Sequence, residues 1–306
     1  MHLFMNIYHP TEQQVFKLSI WVTFGLAVLG IALGLISGSQ AIIFDGVFAA
    51  IDASMSVLSL FVVKLLSSDG SKRFQYGYWH LEPLVAAFNG SILVLLCIYA
   101  IVNAVRGLLE GGRVVSIDFA ALYSIIVCLI CFAAYRYEAY VNRRLKSELV
   151  RIDMQSFMMS AFITIALFVG FGLAWMVERL GFPALRSYAD SIVLLLLALG
   201  LLPIPIRIVS RAMREVFLIA PEKMHRQVCD VLNNVIQKYN FLSFESYVTK
   251  TGRMNMVAIH ILIPKDYVAS MEFYDKVRAD IAQRLGPAFD LEEWLSISFT
   301  SKANWM

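Results

Sequence analysis

Ala41–Val63 reads AIIFDGVFAAIDASMSVLSLFVV, and this stretch decides the fold. It is long enough to cross a hydrocarbon core, which takes roughly 20 apolar residues. Yet it carries two acids, Asp45 and Asp52. At seven positions apart they share one helix face, about two turns or ~10 Å from each other. Asp52 sits some way into the stretch, ~16 Å deep at about 1.5 Å per residue, close to the middle of a bilayer. A carboxylate at that depth must be neutral or matched by a cation.

Working outward, five more apolar runs have a membrane-spanning character. With Ala41–Val63 as the second, they are Leu18–Ile36, Leu84–Val105, Phe119–Tyr135, Ser156–Val177 and Ser191–Ile206. Composition agrees: 59% of the 306 residues are hydrophobic and 16% charged, against about 25% charged in soluble domains. Ser37-Gly38-Ser39-Gln40 forms a short turn between the first two spans, and Pro203 and Pro205 should kink or end the sixth. The first run is too long for a signal-peptide core and follows a mixed, charged segment with Glu12 and Lys17, so an uncleaved first span is expected. A net charge of +3 gives no case for nucleic acid. Cys97, Cys128 and Cys131 lie in apolar runs and read as small packing residues; with Cys229 they form no disulfide framework.

Basic residues set the orientation. Lys64, Lys72 and Arg73 follow span two; Arg136, Arg143, Arg144, Lys146 and Arg151 follow span four; Arg207, Arg211 and Arg214 follow span six. The other side holds Arg106 and Arg113 after span three and Arg179 and Arg186 after span five. Both termini should therefore be cytoplasmic. Residues 1–214 then form a six-helix transmembrane transport domain, and residues 215–306 a small soluble one. In the latter, Pro221–Tyr239 and Ser270–Leu285 read as helices. Ser243–Thr249, Met254–Pro264 and Glu293–Thr300 read as strands, with Thr251-Gly252-Arg253 as a hairpin turn. The order αββαβ suits a small sheet with helices on one face, a dimerisation or regulatory module. It holds no Gly-rich phosphate loop or nucleophile elbow, and no enzyme is expected.

Ionisable groups inside a membrane are costly and usually functional. Setting aside the flanks leaves Asp45, Asp52 and Asp153. Nothing basic in the six runs can pair with Asp52. Its counterpart is a metal ion or an exchangeable proton, or else it is neutral and bonded to a neighbouring helix. Asp153 opens span five: either that span begins early and is long, or Asp153 faces a water-filled cavity. Glu82 and Asp190 sit at span borders, where solvation is cheap, and read equally as polar helix ends or as functional groups.

Four motifs in order give the pattern a family likeness. Phe44-Asp45-Gly46-Val47-Phe48-Ala49-Ala50-Ile51-Asp52 resembles the second-span motif of the cation diffusion facilitator family. Arg73–Pro83, RFQYGYWHLEP, is similar to that family's entry to span three. Tyr188-Ala189-Asp190-Ser191-Ile192 resembles its opening of span six, and Ala220-Pro221 its entry to the tail. The resemblance implies a homodimeric antiporter in the plasma (inner) membrane. It would exchange a cytoplasmic divalent cation, often zinc, for protons, with no resident cofactor. It also implies a metal site built from paired positions four apart on spans two and five. Asp52 and Asp153 fill one position of each pair, while Phe48 and Phe157 occupy the others. Two carboxylates without imidazole suit a harder ion, manganese, magnesium or iron, better than tetrahedral zinc. Substitute ligands are expected among Asp45, Ser56, Ser156, Gln155 and Asn89, with Asp45 as a relay toward the outer face. In the tail His260 matches one metal-binding histidine of some members, while Glu272, Phe273 and Tyr274 stand where another would be. The missing ligands equally suit a non-transporting or regulatory protein on the same scaffold, with the phenylalanines as a hydrophobic gate.

Overall fold

The computed structural model describes residues 12–66, 77–113, 115–145, 148–180, 186–252, 254–286 and 294–305. The helices in chain order are α1 (Glu12–Ser37), α2 (Gln40–Leu66), α3 (Leu81–Leu109), α4 (Ile117–Leu145), α5 (Glu148–Arg179), α6 (Ala189–Leu201) and α7 (Pro203–Val216). After them come α8 (Glu222–Tyr239), β1 (Ser243–Thr251), β2 (Met254–Leu262), α9 (Met271–Leu285) and β3 (Trp294–Thr300). Among the described residues six helical segments are long and apolar enough to cross a membrane, the last of them Ala189–Val216. The chain is an α-helical polytopic membrane protein with a small αββαβ C-terminal region.

The helices outrun the apolar runs. Span four was expected to end at Tyr135, but α4 continues to Leu145 and α5 starts at Glu148. Arg136, Arg143 and Arg144 therefore ride on a helical extension rather than in a loop, because hydropathy marks only the lipid-facing length of a helix. Lys146 lies outside the described residues, as do Lys72 and Arg73. Since α5 begins at Glu148, Asp153 stands about one and a half turns inside a long helix, ahead of its apolar stretch Ser156–Arg179. Pro203 and Pro205 interrupt the sixth span without ending it. Leu202 keeps right-handed helical angles, its N–H bonds Ala198 O at 3.0 Å, and α7 carries on.

The contacts divide the chain into two compact units, one of residues up to Phe61 with Phe88–Ile208, the other of Val62–Ala87 with Val209–Met306. In the first, α4 packs along α5 and α1, and α6 against α5. The α1–α2 contact is set by glycine. A Cβ on Gly30 would lie 2.7 Å from Gly46 Cα, and one on Gly34 would lie 2.7 Å from Ile43 Cγ1. Gly30 and Gly34 form the small-xxx-small spacing that lets helix backbones approach in lipid. The core includes Ile42, Phe44, Tyr123, Leu167, Phe171 and Leu194.

In the second unit the sheet order is β1-β2-β3, with β1 antiparallel to β2 and β2 parallel to β3. The parallel step needs a crossover, and α9 supplies it. Val257, Ile259 and Ile261 alternate inward along β2 onto Val228, Leu232, Val235, Val277, Ile281 and Leu285 of α8 and α9. Burying such side chains contributes about 1.5–3 kcal/mol each. Gly252 turns the hairpin at φ +59; Arg253 and Glu293 lie outside the described residues. Gly77, in the motif before α3, has φ +75, a conformation that favours glycine.

Candidate cation site

Asp45 is fixed by its neighbours. It is buried, and the Tyr123 hydroxyl of α4 donates to its Oδ2 at 2.6 Å. The Thr164 hydroxyl of α5 lies beside the same carboxyl. Gly30 makes room for the Tyr123 hydroxyl, which a Cβ there would approach to 3.0 Å. Asp45 is thus a polar tie among α2, α4 and α5.

Asp190 corrects its sequence reading. It is 1% exposed, not cheaply solvated at a border. Its Oδ1 accepts from Ser39 Oγ at 2.6 Å and Ala41 N at 3.2 Å, and its Oδ2 from Gln40 N at 3.0 Å. The first N–H groups of α2 have no intrahelical acceptor, so a carboxylate on α6 caps α2 across ~150 residues of sequence, with the helix dipole in its favour. Next to it Asn103 Nδ2 donates to Gln40 Oε1 at 3.0 Å, and Arg113 Nη2 to Asn103 Oδ1 at 3.0 Å.

Asp52 is half-buried in the middle of α2, and among the described residues the charge that bears on it is Asp153 of α5. Two of the three acids singled out in the sequence, Asp52 and Asp153, are therefore neighbours. Asp153 is 8% exposed. Beside it stand the Ser19 hydroxyl of α1 and the carboxyl of Glu138 of α4, the latter within hydrogen-bonding reach. Glu138, 2% exposed, was not foreseen as a site residue. It follows the expected end of span four, yet it continues the buried stripe Tyr123, Val127, Cys131 and Val141 at helical spacing. An acid on such a stripe is the signal that finds it.

Phe157, one turn beyond Asp153, is buried and lines a cavity of about 290 Å3 with Ser19, Val22, Ala134 and Glu138. Phe48 is half-buried, its ring 6.4 Å from that of Phe44. Of the substitute ligands, Ser56, Ser156 and Asn89 are half-buried and make no hydrogen bond to Asp52 or Asp153; the Gln155 side chain lies outside the described residues. Among the described residues, no three His, Cys, Asp or Glu side chains are grouped to hold a metal ion.

In the tail, His260 Nδ1 lies 2.6 Å from Ser298 Oγ, and its ring meets Tyr247 edge-on at 5.9 Å. Glu272 is exposed and paired with Lys276 at 3.4 Å.

Comparison with known proteins accords with this arrangement. The cation efflux transmembrane domain matches residues 16–215. Magnetosome protein MamB of Magnetospira sp. (strain QH-2) is 22% identical over 62% of this chain and 64% of its own. MamB of Magnetospirillum gryphiswaldense is 26% identical over 51% of this chain and 55% of its own. The manganese efflux system protein MneP of Bacillus subtilis (strain 168) is 27% identical over 52% of this chain and 53% of its own. The chain thus spans less than two thirds of the length of these curated relatives. With its family model covering six apolar helices and both acids of the α2–α5 pair, the chain belongs to the cation efflux, or cation diffusion facilitator, family.

Proposed function

We propose that the protein exports a divalent metal cation from the cytoplasm in exchange for protons. The observation that carries this is the juxtaposition of Asp52 and Asp153, two acids from different membrane helices with no base among the described residues to neutralise them. A cation is the counterpart that makes such a pair affordable in lipid. The donors are oxygens, which favours hard ions; manganese is the first candidate, ahead of zinc. The similarity to a manganese efflux system protein supports that order. Release needs protons, because both compete for the same oxygens, so affinity should rise with pH. Asp45, tied to Tyr123, lies about two turns toward the start of α2, where a relay to the far face belongs.

The basic loops support cytoplasmic termini in a plasma (inner) membrane. Reporters placed after Met306 and within Gly111–Ser116 should read opposite sides; same-side signals sink the topology. The family supports a homodimer, and crosslinking in native membranes should trap a species of twice the chain mass. A clean monomer in membranes overturns it.

A second reading rests on Phe48 and Phe157: apolar rings where ligands are expected suit a non-transporting or regulatory partner. Flux separates the two. In proteoliposomes with a pH gradient, manganese should move, and Asp52→Asn should reduce flux to that of protein-free vesicles. No flux for manganese, zinc, iron, cobalt or magnesium in the unmodified protein selects the second reading.

A further inference from the structure

Three buried oxygens from three helices meet beside the cavity on α1, α4 and α5. Ser19 Oγ, Glu138 Oε2 and Asp153 Oδ2 make no well-formed hydrogen bond among the described residues, although the Ser19 hydroxyl and the Glu138 carboxyl lie beside the Asp153 carboxyl. A buried oxygen left so is costly to the fold. Their residues are all more than nine-tenths buried. Glu138 and Ser19 both line the cavity, and both flank Asp153. Two carboxyls in contact with no base beside them are a poor packing device, since an apolar pair of the same shape would hold α4 to α5 without the desolvation cost. A cation among them would satisfy all three oxygens at once.

We propose that Glu138, with Asp153 and Ser19, completes an all-oxygen divalent-cation site on α1, α4 and α5. This rests on the transport reading and deepens it: the ligand missing at Phe157 comes from α4 instead. Phe157 then serves as an apolar wall, lining the same cavity one turn from Asp153. Without imidazole or thiolate, the site selects manganese or magnesium over zinc.

The test is manganese and zinc titration of the purified full-length chain, comparing Glu138→Gln, Glu138→Asp and Asp52→Asn. Gln keeps the volume and can donate to Asp153, so a purely structural contact survives the change while a ligand is lost. The expected result is manganese affinity at least about tenfold weaker in Glu138→Gln, partial recovery in Glu138→Asp, and an unchanged melting temperature without metal. Unchanged manganese affinity in Glu138→Gln, with Asp52→Asn still impaired, overturns this site and leaves the transport reading standing. No manganese or zinc binding to the unmodified chain overturns both. Should Glu138→Gln fail to fold, Ser19→Ala takes its place: about threefold weaker manganese binding supports the site, and unchanged binding overturns it.

Discussion

The membrane helices and the C-terminal unit hold their acids in opposite ways. Asp280 on α9 is 20% exposed in its side chain and ringed by donors: Arg284 Nε at 2.8 Å, Lys238 Nζ at 2.8 Å and the Tyr239 hydroxyl at 3.2 Å. These neighbours hold its carboxyl down at about 2. Asp52, Glu138 and Asp153 have no such ring of charged donors among the described residues; beside Asp153 stand the Ser19 hydroxyl and the Glu138 carboxyl. Asp190 and Asp45 stand between the extremes, buried but hydrogen-bonded. An acid with protein partners explains itself by stability. An acid without them, in a medium where charge is expensive, calls for a ligand from outside the chain.

That contrast can be tested by removing acids of each kind. Asp190→Ala should have the largest structural effect, because it strips the cap from α2 and leaves the Ser39 hydroxyl and two N–H groups unanswered. A loss of about 2–4 kcal/mol is expected, read as a lowered melting temperature in detergent; an unchanged melt would show that the cap is dispensable. Tyr123→Phe removes one bond to a buried carboxylate and should cost about 1.5–3 kcal/mol. A neutral result there would detach Asp45 from the packing of α4.

Asp280→Asn should matter least, under about 1 kcal/mol, as expected of a surface pair. Its pH dependence follows from the direction of the shift. The folded group titrates below an unfolded aspartate at about 3.9, so its contribution is present above that value and disappears as pH falls through about 2. The difference between unmodified protein and variant should be flat from neutral pH to about 5 and shrink below about 4. A difference that grows on acidification would contradict the assignment.

Much of the architecture was legible in the sequence. The apolar runs located the membrane helices, and the alternation of Val257, Ile259 and Ile261 located β2 to within two residues. The pairing of Asp52 with Asp153 was legible only through the family motifs, since no local pattern relates α2 to α5. Glu138 escaped because hydropathy stops where α4 leaves the apolar run, although the buried stripe continues through it. Asp190 as a cap was illegible for another reason: its partners lie ~150 residues away, and no periodicity records a contact of that range. The Gly30–Gly34 contact was written in the sequence as a spacing, but which helix it receives is a tertiary fact.

The central claim is that Asp52 and Asp153 hold one cation between them. A double-mutant cycle on manganese affinity measures this in the full-length protein, using Asp52→Asn, Asp153→Asn and the two combined. If they share an ion, each single change weakens binding severely and the double is hardly worse than the weaker single. Losses that simply add, or a single variant that binds manganese as the unmodified protein does, would contradict it.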